Sequence, residues 1–227
     1  MRIGIIGAGN IGGTLARRLT ALRHDVSIAN SRGPETLAAL ARETGAKPVT
    51  VEEAARAGNV VIVTIPEKAI PRLPAALFDG VPDDVVVVDT GNYYPQRDGR
   101  IDAIEKGTTE SRWVSEQLGR PVVKAFNSIY ARSLLERGKP RGTPGRIALP
   151  IAGDDRRAKE IVIQLVEELG FDGIDAGSLD ESWRQQPGTP VYCTDLDAAG
   201  VRLALGEAKQ ERPAGFRATA TASRARP

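Results

Sequence analysis

Short β-branched runs alternate with amphipathic stretches through the first half of the chain. Residues 2–6, 25–29, 60–64, 85–89 and 122–125 read as strands, and several are apolar throughout, as strands covered on both faces are. Between them, residues 11–22 and 34–44 place apolar side chains at helical spacing; the second stretch opens on Pro34 and stops at Gly45. A Pro- and Gly-rich loop at 138–145 precedes a strand at 147–151, an amphipathic helix at 156–169, a strand at 171–175 and a last helix at 195–208. Asp154 and Asp155 are expected to supply an N-cap and first-turn charge for the 156–169 helix, and Gly170 to end it. Strand and helix in alternation predict an α/β fold, a doubly wound and mostly parallel sheet with a small C-terminal α/β extension. The expected divisions are a nucleotide-binding domain at 1–128, a small α/β region at 129–208 and a disordered basic tail at 209–227.

Composition narrows the function classes. With 41% hydrophobic and 26% charged residues the 227-residue chain has the make-up of a soluble globular protein, and no apolar run reaches the roughly 20 residues of a membrane span. The start, Met1 to Gly7, lacks the long apolar core and cleavage site of a secretory signal, so a cytoplasmic location is expected. One cysteine, Cys193, permits no internal disulfide; with His24 the sole histidine, no metal site and no Ser-His-Asp catalysis are expected. His24 itself, between Arg23 and Asp25, reads as a surface or turn residue. Residues 206–227 hold five basic and two acidic side chains, which leaves the rest near neutral. A basic tail on a neutral body is not a nucleic-acid groove.

The chemistry is concentrated at the first strand-to-helix turn. Gly7-Ala8-Gly9-Asn10-Ile11-Gly12 follows a strand and opens a helix, the context that a Rossmann GxGxxG needs. Gly7 makes the tight turn, Gly9 lets a pyrophosphate approach the backbone, and Gly12 lets helix and strand pack closely. The pyrophosphate then meets the amides of the helix N-terminus, with Asn10 and Ile11 in the first turn. An NAD site carries Asp or Glu at the end of the second strand; this chain has Asn30-Ser31-Arg32-Gly33 there. Arg32 suits bidentate pairing with a 2′-phosphate and Ser31 suits a hydrogen bond to it, so NADP(H) is the expected cofactor.

Two further strand ends, Thr64-Ile65-Pro66 and Asp89-Thr90-Gly91-Asn92, should face the cofactor, because ligands bind beyond the carboxyl ends of parallel strands. Lys124 and Asn127, on and after the fifth strand, are candidates for a proton donor or anion contact and for a carboxamide or acceptor contact. Trp183, Tyr192 and Tyr93 are candidates for stacking on an acceptor ring, with core packing the competing role. Nothing beside Cys193 in sequence would lower its pKa toward that of a nucleophile.

The glycine turn, the Asn30–Glu35 stretch and the Thr64-Ile65-Pro66 strand end together resemble the NADPH-dependent F420 reductase-like family, the F420H2:NADP oxidoreductases. So do Val122-Val123-Lys124-Ala125-Phe126-Asn127, Ile151-Ala152-Gly153-Asp154-Asp155, Gly170-Phe171 and Asp175-Ala176-Gly177-Ser178-Leu179. These blocks keep their order over about residues 1 to 180. The resemblance implies Ser31 and Arg32 at the 2′-phosphate, a planar deazaflavin beside the nicotinamide, and a homodimer. Residues 89–95 and 183–192 depart from the archaeal pattern and resemble a bacterial branch whose acceptor need not be F420. Hydride transfer between planar rings needs little acid-base machinery, which suits a chain with one histidine and no large helical substrate domain. The expected partner is thus a small redox acceptor, F420, a flavin or a quinone. A non-catalytic NADP(H)-binding or redox-sensing protein is the alternative.

Overall fold

A computed structural model describes residues 1–218. β1 (Arg2–Ile6) runs into α1 (Asn10–Ala21) and β2 (Asp25–Ala29). A 3-10 turn at Pro34–Leu37 leads into α2 (Ala38–Thr44), which stops at Gly45, where φ is +80°. The two-residue β3 (Lys47–Pro48), α3 (Val51–Ala55) and β4 (Val60–Val63) follow. After a 3-10 segment at Glu67–Arg72 come β5 (Val86–Asp89), the short α4 (Pro95–Asp98) and α5 (Asp102–Glu105), α6 (Glu110–Leu118), β6 (Val123–Lys124) and α7 (Ala131–Glu136). β7 (Ala148–Ile151), α8 (Arg156–Glu168), β8 (Asp172–Asp175), a 3-10 segment at Leu179–Gln185 and α9 (Ala198–Glu207) complete the order, before a last 3-10 turn at Ala214–Phe216.

The main sheet is parallel throughout, in the order β3-β2-β1-β4-β5-β6. This is the doubly wound Rossmann arrangement. From β1 the chain winds one way to β2 and β3, then returns to β4 on the other side, so a crevice opens where the order reverses. The apolar runs explain the burial. Ile3, Ile5, Ile28, Ile62 and Val88 pack on one face with Leu15 and Leu19 of α1 and with Val162 and Leu165 of α8. Ile6, Val61, Val63 and Val87 pack on the other with Ala54, Ile70, Trp113 and Val114. Each such aliphatic side chain contributes about 1.5–3 kcal/mol by leaving water.

β7 and β8 form a second, two-stranded parallel sheet, tied to the first where Lys124 and Ala152 exchange backbone hydrogen bonds of 2.8 and 3.1 Å. Phe171 and Val166 lie in the same core as Ile3. One apolar core therefore runs across the expected division at residue 128.

The short elements β3, α3, α4, α5 and α7 were not expected from sequence, and three further differences bear on the site. Asp154 does not cap α8: Asp155 accepts the Ala158 amide at 2.9 Å, while Asp154 accepts the Leu179 amide and pairs with Arg112 at 2.8 Å. Helix α6 was not expected, because the inner positions of its first turn are Glu110 and Ser111, both fully buried, which breaks the apolar periodicity. Residues 209–218 of the expected disordered tail pack onto the body. Arg212 donates to Glu110 at 2.8 Å, and Gln96 donates to the Gly215 carbonyl at 2.9 Å. The rest of that tail, 219–227, lies outside the described residues.

Candidate dinucleotide and acceptor site

The glycine turn is built as its spacing requires. Gly7 has φ of +115°, and a Cβ there would lie 2.3 Å from the Thr64 carbonyl oxygen. A Cβ at Gly12 would lie 1.9 Å from the Gly7 carbonyl oxygen, so the close approach of α1 to β1 admits no side chain. A Cβ at Gly9 would meet nothing within 4 Å. Gly9 is the N-cap of a 12-residue helix whose first turn has no side-chain cap and no acidic residue. Its free amides and partial positive charge face an open space, as a pyrophosphate site requires.

At the end of β2, Asn30 holds the following loop. Its side-chain oxygen accepts the Arg32 amide at 2.9 Å, and its NH2 donates to the Thr36 hydroxyl at 2.9 Å. Ser31 and Arg32 are thereby left exposed, and the Arg32 guanidinium makes no ion pair among the described residues. A cavity of about 710 Å³ runs from Gly7 and Gly9 to Ser31 and Arg32, with Thr64, Ile65 and Pro66 along its side. Arg72 also lines it, a second cation without an ion pair among the described residues. It ends the 3-10 segment Glu67–Arg72, and no sequence signal singled it out.

A second cavity, about 380 Å³, shares Gly9, Thr64, Ile65 and Pro66 with the first. Asn10, Ile11, Thr90, Gly91, Asn92 and Asn127 line it, together with Tyr94, Arg97, Phe126, Tyr130, Tyr192 and Cys193. Asn127 and Asn92 hold each other. Asn127 donates to the Asn92 side-chain oxygen at 3.1 Å and to the Gln185 carbonyl at 2.6 Å, while Asn92 donates to the Asn127 carbonyl at 2.9 Å. Phe126 and Cys193 carry positive φ, +61° and +54°. Each such non-glycine residue stores about 1–3 kcal/mol of strain, a cost met with most often at functional sites.

Two sequence candidates lie behind this cavity and do not line it. Asp89, 1% exposed, turns into the protein; its oxygens accept the Gly91 amide at 2.9 Å and the Ser111 hydroxyl at 2.6 Å. Lys124, 0% exposed, donates to the Gly91 carbonyl at 2.9 Å and lies 3.4 Å from Glu110 and 3.7 Å from Asp89. Burial opposes its charge, but Asp89 and Glu110 outweigh that and hold it charged above the ordinary lysine range. Glu67 completes the cluster; burial first, then the neighbouring Glu110 and Asp89, push it well above the usual carboxylate range. The group fixes the Gly91 backbone from behind.

Of the stacking candidates only Tyr192 reaches the cavity. Tyr93 is buried, with its hydroxyl 3.0 Å from both the Gly99 carbonyl and a Glu105 oxygen, either of which can accept its one proton, and its pKa pushed up to about 12, mainly by burial. Trp183 lies beside residues 209–213 on another face, with the Arg184 guanidinium 5.4 Å from its ring centre. Tyr94, which sequence did not select over Tyr93, takes the place beside Tyr192.

Residues 2–93 match the family described as NADP oxidoreductase, coenzyme F420-dependent. The crystal structure of hypothetical protein SMa0349 from Sinorhizobium meliloti is 34% identical over 86% of this chain and 95% of that one, with a TM-score of 0.72. The chain belongs to the F420-dependent NADP oxidoreductase family. Its members are NAD(P)-dependent oxidoreductases on a Rossmann-type fold. A candidate F420-dependent NADP reductase from Arthrobacter sp. FB24, 22% identical over 80% of this chain and 87% of that one, shares the fold at a TM-score of 0.66. Protein YjhV of Escherichia coli K12 is 46% identical over 71 residues, 31% of this chain. The chain spans about half, 52%, of that curated relative's length. No helix among the described residues is long and apolar enough to cross a membrane.

Proposed function

We propose that this protein binds NADP(H) in the larger cavity and transfers a hydride between the nicotinamide and a planar redox acceptor in the smaller one. The acceptor is an F420-like deazaflavin, a flavin or a similar ring. The observation that carries this reading is that the two cavities adjoin, with Gly9, Thr64, Ile65 and Pro66 lining both. A dinucleotide laid with its pyrophosphate on α1 would put its adenosine end by Arg32 and its nicotinamide end by Asn92 and Asn127. Ser31, Arg32 and Arg72, with no carboxylate among residues 28–33, support a 2′-phosphate over a bare ribose.

Bound NADP(H) supplies the hydride chemistry, and the chain supplies position and dryness. Ile65 and Pro66 give an apolar divide between the cavities, and the Asn92–Asn127 pair fixes the far wall. The family resemblance supports assembly into a homodimer, which light scattering would test. The functional test is acceptor-dependent oxidation of NADPH with F420, FMN and a quinone in turn. Turnover with one of them is expected. Tight NADPH binding with no turnover on any would support a redox sensor and overturn the hydride-transfer reading.

A further inference from the structure

The smaller cavity holds a pair of phenols that nucleotide binding leaves without a task. Tyr94 and Tyr192 are half-buried, both line this cavity, and their hydroxyls hydrogen-bond to each other. Two hydroxyls carry two protons, and the bond between them uses one. No carbonyl or carboxylate among the described residues accepts the second; the Cys193 thiol beside Tyr192 is a weak acceptor, so a donatable proton stands in the cavity on the Tyr94 side. The Arg97 guanidinium lies 4.9 Å from the centre of the Tyr94 ring, where it favours negative charge on that ring.

Arg97 is itself paired with Asp98 at 2.8 Å and Glu67 at 3.0 Å, and Asp98 accepts the Tyr94 amide at 2.9 Å. The Cys193 thiol adjoins Tyr192, with Asp195 beyond it, and Glu110 acts on Tyr94 from behind. Burial raises both phenols. Arg97 stands over the Tyr94 ring and draws it partly back, so Tyr94 is the phenol placed to carry negative charge.

We propose that Tyr94 is the proton donor to the acceptor, with Tyr192 steadying the phenolate, and that the acceptor is a planar quinone or conjugated carbonyl. This inference rests on the hydride-transfer reading above. A hydride brings two electrons and one hydrogen to a carbonyl carbon, and the C=O π pair moves onto oxygen. That oxygen takes the Tyr94 proton and becomes a hydroxyl. The Tyr94 phenolate accepts a hydrogen bond from Tyr192 beneath the Arg97 charge, and a proton from solvent restores it. The sum is NADPH, one proton and a carbonyl acceptor going to NADP+ and the hydroxy product.

Two planar three-ring probes separate the steps. 9,10-Phenanthrenequinone needs a hydride and a proton; the 10-methylacridinium cation takes a hydride alone and becomes neutral. Tyr94→Phe is expected to lower the enzymatic quinone rate about 100-fold, as loss of a general acid does, and the acridinium rate far less. Tyr192→Phe is expected to lower the quinone rate by a smaller factor. The quinone reaction of the native protein should slow in D2O, and that sensitivity should vanish in Tyr94→Phe. NADPH binding should equal that of the native protein in both variants. In nucleotide-free protein, tyrosinate absorbance should show Tyr192 ionising at lower pH once Tyr94→Phe removes its partner. Equal losses on both probes, an unchanged quinone rate or an unchanged alkaline titration would overturn the assignment. A native protein that reduces acridinium and not quinone overturns it while leaving hydride transfer standing. One that binds NADPH and reduces neither probe overturns both readings.

Discussion

The two halves of the cleft are built by different means. The larger cavity is shaped by backbone: a positive-φ glycine, a helix start without a cap, and a loop pinned by one asparagine, with its cations exposed and without an ion pair among the described residues. The smaller cavity is shaped by side chains brought from residues 92–97, 126–131 and 192–193, and it rests on a buried cluster of Lys124, Asp89, Glu110 and Glu67. The first half binds through groups that any sequence with the right glycines presents. The second half commits desolvated charge and strained backbone to hold a few polar groups still. A nucleotide shared by many enzymes calls for the former, and a particular acceptor for the latter.

Substitutions in each half should therefore fail differently. The largest effect is expected from Gly9→Val, which would fill the open space over α1 and abolish NADPH binding. Because nothing lies within 4 Å of the new Cβ and φ is −76°, its thermal midpoint should stay close to that of the native protein. Lys124→Met should do the reverse of this pattern. It leaves Asp89 and Glu110 buried beside Gly91 without their lysine, at a cost of about 3–5 kcal/mol in stability by denaturant titration.

Arg32→Glu comes next, with a loss of about 2 kcal/mol in NADPH binding from a missing charge-assisted pair and no change in stability. The smallest effect is pH-dependent. Glu67 has a raised pKa in the fold, so the folded state holds a proton that the unfolded chain releases near pH 4.3. Stability from this group is therefore lost as pH climbs from that value through the folded-state pKa. Glu67→Gln, which keeps an acceptor for Arg97, should be more stable than the native protein toward alkaline pH and indistinguishable from it below about pH 4. A constant difference across pH would mean that Glu67 is ionised in the fold.

The same contrast explains what could be read from the sequence. Strands β1 and β2, helix α1 and the glycine turn are local, so their pattern and spacing were enough, and β1 and β2 match residue for residue. The order of Asn30, Ser31 and Arg32 carries the proposed preference for NADP(H) for the same reason. Helix α6 escaped notice because the buried positions of its first turn are polar. Glu110 faces Lys124 and Ser111 donates to Asp89, partners that join it only through the tertiary fold. Tyr94 and Tyr192 stand 98 residues apart, and choosing Tyr94 over the adjacent Tyr93 depended on which ring turned inward. Residues 209–218 were read as tail from their composition, yet Arg212 finds Glu110 and stacks 5.2 Å from the Tyr93 ring centre. Composition carries no information about such a partner 102 residues away.

The most direct measurement is a side-by-side titration of the native protein and Arg32→Glu with NADPH and NADH, followed by nicotinamide fluorescence. The native protein should bind NADPH more tightly than NADH, and Arg32→Glu should lose that preference through weaker NADPH binding alone. A native preference for NADH, or an Arg32→Glu variant that keeps full NADPH affinity, would contradict the assignment of the larger cavity to NADP(H).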